Sequence, residues 1–144
     1  MTALTLAQAL KNAIHAEQAA ARFYDLLAQS TDDPEARRFL AEMAGQELAH
    51  ARELAELASR TETGELPARP DERFELAETS PDWKYVDDLG YGAALRLALE
   101  LEQHAAVFYD ALAGSTDGPV RELFERLARV EETHAGAVER LLGD

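Results

Sequence analysis

Apolar residues recur along this chain at alternating steps of four and three, the spacing that lines one face of an α-helix. The pattern predicts four helices. The first covers 4–29, with Leu6, Leu10, Ala13, Ala20, Tyr24 and Leu27 on its stripe. The second begins at Pro34, where an Asp cap followed by proline marks a helix start. It carries Ala36, Leu40, Met43, Leu54 and Leu57 and ends near Ser59, ahead of a stretch broken by Gly64, Pro67 and Pro70. The third runs from about Gly92 to Ala113 on Leu95, Ala98, Ala105, Tyr109 and Leu112, and the fourth from Pro119 to Leu142 on Phe124, Leu127, Val138 and Leu141. β-Branched residues are few and nowhere alternate with polar ones, so no strand is expected.

The two halves repeat one another. "FYDLLAQSTDDP" at 23–34 and "FYDALAGSTDGP" at 108–119 agree at nine of twelve positions with an offset of 85, which becomes 84 in the helices that follow. This predicts one all-α domain spanning 1–144, a four-helix bundle made of two duplicated hairpins, 4–59 and 92–142, joined by a crossover at 60–91. Bundle turns usually take about 2 to 8 residues, so a connection of about thirty travels the length of the bundle and sets the middle helices parallel. Phe74, Leu76, Trp83, Tyr85, Val86 and Leu89 of that connection are expected on the outside of the helices, with a short helix at 71–78.

Each stripe is interrupted by groups that do not belong in a core. Glu17, Glu47, His50, Glu102, Glu131 and His134 occupy stripe positions, and the four Glu lie near the midpoints of their helices. Midpoints meet in a packed bundle whichever way each helix points, so the six should converge in one central layer. An unpaired buried carboxylate costs several kcal/mol or takes up a proton, and four together also repel one another. Two divalent cations would balance four carboxylates, with the imidazoles as neutral donors. Such a donor set suits iron or manganese better than copper, with zinc as a substitute. In each Glu-x-x-His pair the i, i+3 spacing puts both side chains on one helix face, where they can grip one ion. The plainer alternative is a core that tolerates polar groups.

Tyr24 and Tyr109, two turns after Glu17 and Glu102, admit two readings. Either they pack as ordinary core residues, or their phenols hydrogen-bond a ligand carboxylate and supply an electron. His15 and His104 fall two residues from a ligand Glu and point off the stripe, as do Glu100 and Glu132; all four read as surface groups.

Composition narrows the function classes. The 28 acidic against 14 basic side chains give a formal net charge of −14, which disfavours nucleic acid and acidic lipid as partners. No apolar run approaches the roughly 18 residues of a membrane span, and the N-terminus has neither a basic start nor a small-residue cleavage site, which argues for a cytoplasmic protein. There is no cysteine, hence no disulfide, thiolate ligand or thiol nucleophile.

With Glu17, Glu47, His50, Glu102, Glu131 and His134 in this order, once per half, the chain resembles the ferritin-like superfamily, and most closely the rubrerythrin diiron domain. The resemblance implies two iron ions, with Glu47 and Glu131 as bridges and Glu17 and Glu102 as terminal ligands. It implies reduction of hydrogen peroxide, or of dioxygen, in a homodimer. Rubrerythrins typically carry a rubredoxin domain with Cys-x-x-Cys pairs; this cysteine-free chain is expected to draw electrons from a separate donor protein. They also tend to carry an extra Glu one turn after the third-helix ligand, where this chain has Ala105. The remaining six-ligand set looks equally like a bacterioferritin ferroxidase centre, which would make the protein an iron-handling one. A helical bundle with no enzymatic role is the third alternative.

Overall fold

A computed structural model describes residues 6–60 and 91–143. They form four helices: α1 Leu6–Gln29, α2 Pro34–Arg60, α3 Tyr91–Gly114 and α4 Gly118–Leu141. The bounds differ from the sequence expectations by a residue or two, as helix ends do. The connection between α2 and α3, with the apolar residues and short helix expected there, lies outside the described residues.

Local chemistry sets the helix starts. Asp33 Oδ1 accepts the backbone N–H of Glu35 at 3.3 Å, satisfying one donor at the start of α2. The duplicate start is built differently. Gly118 replaces Asp33 and takes a left-handed φ of 63°, and the Asp117 side chain makes no cap hydrogen bond. A side chain at position 118 would be strained, so here the turn depends on glycine. The first hairpin turn is further clamped by Arg37, whose guanidinium donates to the carbonyls of Thr31 at 2.8 Å and Ala28 at 3.2 Å.

The buried apolar residues fall into two clusters. One gathers the start of α1 (Leu10, Ala13), the end of α2 (Leu54, Leu57), the end of α3 (Tyr109, Leu112) and the start of α4 (Phe124, Leu127). The other gathers the opposite ends: Tyr24 and Leu27, Leu40 and Met43, Leu95 and Ala98, and Val138. Two conclusions follow. Each hairpin is antiparallel within itself, and α2 runs parallel to α3, with Arg60 and Tyr91 at opposite ends of the bundle. The fold is therefore a ferritin-like four-helix bundle of two paired hairpins, with no strand among the described residues.

Between the clusters lies the polar layer. Stripe positions are buried throughout, with four exceptions that are half-buried: Leu6 and Leu141 at helix ends, and Ala20 and Ala105 in mid-helix. The two alanines mark where the bundle opens. Leu127 and Leu40, each fully buried, represent the two clusters. Truncating either to alanine leaves a cavity and should lower the unfolding free energy by about 2–5 kcal/mol, against at most about 0.5 kcal/mol for Val107→Ala at an exposed site, measured by urea denaturation.

Candidate metal centre

All six sequence-predicted donors are buried and meet in one cluster. Glu17, Glu47, Glu102 and Glu131 are at most 3% exposed, His134 4% and His50 7%, which places ionisable groups where core residues belong. Their ligating atoms fall into two overlapping sets, each with all atoms within 4.8 Å of one another. One set is Glu17, Glu47, His50 and Glu131; the other is Glu47, Glu102, Glu131 and His134. Glu47 and Glu131 belong to both. Glu131 faces both histidines, with Oε1 3.8 Å from His50 Nδ1 and Oε2 3.6 Å from His134 Nδ1.

The outer carboxylates are held by crossed tyrosines. Tyr24 on α1 donates to Glu102 Oε1 on α3 at 2.6 Å, and Tyr109 on α3 donates to Glu17 Oε1 on α1 at 2.7 Å. Each phenol thus reaches the other hairpin rather than the Glu on its own helix. With Oε1 fixed this way, the second oxygen turns inward: Glu17 Oε2 lies 3.5 Å from His50 Nδ1, and Glu102 Oε2 3.6 Å from His134 Nδ1. Burial, then the adjacent carboxylates, push both tyrosine hydroxyls well above their ordinary pKa, so they remain protonated donors.

What the inward atoms lack is a partner. One atom from each of the six residues is buried without a hydrogen bond: Glu17 Oε2, Glu47 Oε1, His50 Nδ1, Glu102 Oε2, Glu131 Oε1 and His134 Nδ1. Buried polar atoms are rarely left so, and six converging on one point call for positive charge there. His134 sharpens the argument. Its Nε2 lies 2.7 Å from Gln46 Oε1, an amide oxygen that can only accept, so Nε2 is the donor and Nδ1 is turned toward the cluster. Nδ1, the nitrogen that faces the cluster, lies 2.9 Å from Glu47 Oε1. Two acceptors at that distance need a proton or a metal ion between them. The donor set therefore fits a pair of divalent ions of the iron or manganese kind.

Electrostatics agree. Burial, followed by repulsion from neighbouring carboxylates, drives Glu47 and Glu131 well above the usual carboxylate range. Those two groups, shared by both donor sets, gain most from bound cations.

A cavity of about 20 Å³ opens toward the cluster between α1 and α3, with Ala20, Ala105, Phe23 and Phe108 along its walls and the four Glu and two Tyr at its floor. Ala105, where the resemblance would have put a further carboxylate, lines this opening. His104, Glu100 and Glu132 are exposed, as expected; His15 is half-buried instead, and burial followed by the charges of Arg22 and Lys11 lowers its pKa. Gln46 was missed by sequence reasoning. It sits one residue before Glu47 on the exposed side of α2, and no spacing rule points such a residue at a histidine on α4.

Comparison with known proteins places these features in a family. The sequence matches the rubrerythrin family over residues 8–91 and 93–144. A solved structure of a hypothetical protein from Pyrococcus furiosus is similar in fold, with a TM-score of 0.76 at 24% identity, covering 96% of this chain and 88% of that one. No curated protein matches the sequence. No described helix is long and apolar enough to cross a membrane. With the family match extending over both hairpins and a buried carboxylate–histidine cluster capable of holding metal at their centre, the chain belongs to the rubrerythrin family.

Proposed function

We propose that this protein is a diiron oxidoreductase that reduces hydrogen peroxide, drawing electrons from a separate donor protein. Glu17 and His50 would hold one ion, Glu102 and His134 the other, with Glu47 and Glu131 between them. A bound ferrous pair supplies two electrons, one per ion, so that one peroxide and two protons become two waters without release of a radical.

The observation that carries this reading is the opening between α1 and α3. Its volume of about 20 Å³ is enough to admit a molecule of roughly water size and far too small for a bulky substrate. The walls include alanine and phenylalanine, so a small uncharged molecule is favoured over an ion, whose desolvation there costs far more. A net charge of −14 further disfavours anionic oxidants. At the floor, Tyr24 and Tyr109 fix the outer carboxylates in place and keep their own protons, while the two apolar clusters above and below exclude bulk water.

A second reading, iron oxidation and transfer, is favoured by one feature: with Ala105 in place of a further carboxylate, six protein donors form the cluster among the described residues. Stopped-flow oxidation of the anaerobically iron-loaded protein separates the two. The peroxidase reading expects faster oxidation by peroxide than by dioxygen and repeated turnover with a reducing donor. Equal rates without turnover refute it, and oxidation followed by release of the iron supports the alternative. A homodimer is proposed for the peroxidase; a hollow shell of many subunits in sedimentation would favour iron handling.

Two substitutions probe the chain's own contribution. Ala105→Leu should fill the opening and slow peroxide reduction by about tenfold or more while metal content stays unchanged, since a reactant that no longer fits loses its positioning. Tyr109→Phe removes the donor to Glu17 Oε1. It should weaken metal retention against a competing chelator by about tenfold.

A further inference from the structure

The duplication left one difference beside the cluster. His134 is anchored from outside by Gln46 Oε1 at 2.7 Å. The repeat relates Glu47 to Glu131 and His50 to His134, so the residue that corresponds to Gln46 is Val130, which has nothing to accept a proton. Among the described residues, His50 forms no hydrogen bond through its outer nitrogen; its interactions run through Nδ1 to Glu17 and Glu131 and through its ring, 6.0 Å from that of His134.

We propose that Gln46 makes the two ion positions unequal, so that the Glu102–His134 position binds its ion first and more tightly than the Glu17–His50 position. This rests on the metal-binding reading of the cluster. The physical reason is preorganisation. An acceptor on Nε2 fixes the tautomer that leaves Nδ1 free to ligate, holds the ring plane toward the centre and raises the basicity of Nδ1. Gln46 Oε1 already stands 2.7 Å from His134 Nε2 before any ion arrives. His50 must select its tautomer and ring orientation as the ion binds, which lowers its net affinity. Other supports are balanced across the repeat: the crossed phenols fix Glu17 and Glu102 alike, at 2.7 and 2.6 Å, and both histidines are buried. The imbalance therefore traces to position 46 against position 130. Gln46 touches no reacting atom; it is a positioning residue.

The test uses the full-length metal-free protein, titrated anaerobically with Co(II) and followed by the ligand-field absorption of the bound ion. The wild-type protein should take up two ions in two resolved steps. Gln46→Val, which copies the residue of the other half, should weaken the tighter step by about tenfold or more and merge it with the second. Gln46→Glu keeps an acceptor and should keep the steps apart. Val130→Gln should strengthen the weaker step. Because positions 46 and 130 lie outside the core, circular dichroism of each variant should match the wild type. If the wild type takes up no Co(II), the metal reading and this proposal both fall. If it takes up two ions and Gln46→Val leaves both constants within twofold of wild type, or Gln46→Glu loses the tighter step as Gln46→Val does, the metal reading stands and the proposal is overturned.

Discussion

Four carboxylates in the dry middle of a helical bundle form the constraint on which the rest of this structure depends. Glu17, Glu47, Glu102 and Glu131 are nearly inaccessible to water, and burial with mutual repulsion raises the proton affinity of Glu47 and Glu131 steeply. An arrangement that cost so much would not persist for packing alone, because leucine at the same positions would pack without penalty. The crossed tyrosines respond to the same constraint. Each satisfies one oxygen of an outer carboxylate and leaves the other to face the centre, which concentrates the unmet demand at one place. Positive charge at that place relieves all four groups at once.

The apolar clusters make the constraint effective. One lies on each side of the polar layer, and each draws on all four helices, so the layer is sealed above and below by residues such as Phe124 and Leu10 at one end and Leu95 and Leu40 at the other. Contact within each hairpin is extensive, whereas α1 meets α3 much more sparingly. The α2–α4 face is equally sparse, so the side chains at the α1–α3 face decide where the opening lies. Where α1 and α3 face each other across the layer, Ala20 and Ala105 are too small to close the gap, and the flanking phenylalanines keep it narrow.

Much of this was legible in the sequence because it rests on period and repetition. A stripe of fours and threes places a residue on a helix face without knowledge of its neighbours, and Glu47 with His50 is readable as a pair for the same reason. Convergence in one layer followed from the four Glu lying near the midpoints of their helices, which meet in a packed bundle whichever way each helix points. What could not be read depends on the rotation of one helix against another. The spacing of Tyr24 from Glu17 suggests contact with a carboxylate, yet the bond runs across to Glu102 on α3, which packs antiparallel to α1. Gln46 is harder still, since its stretch of α2 gives no sign that an exposed amide bends back toward α4. Gly118 shows the converse limit: its residue type signals a turn, but its left-handed φ and the loss of the cap found at Asp33 appear only in coordinates.

Comparing the halves separates what the fold requires from what each half has acquired. On the α1–α3 side four pairs lining the opening repeat at the offset of 85, Glu17 with Glu102, Ala20 with Ala105, Phe23 with Phe108 and Tyr24 with Tyr109, while Ala16 with Leu101 differs. Symmetry there has a physical basis. A small molecule entering between two equivalent helices meets both halves of the cluster alike, and neither outer carboxylate can lose its phenol without leaving a buried oxygen unpaired. On the α2–α4 side the two corresponding positions have diverged, to Gln46, which is exposed, and Val130, which is half-buried. Substitution is cheap at an exposed position and costly at the floor of the opening, so a duplicated bundle can make its two histidines unequal while its access face stays symmetric.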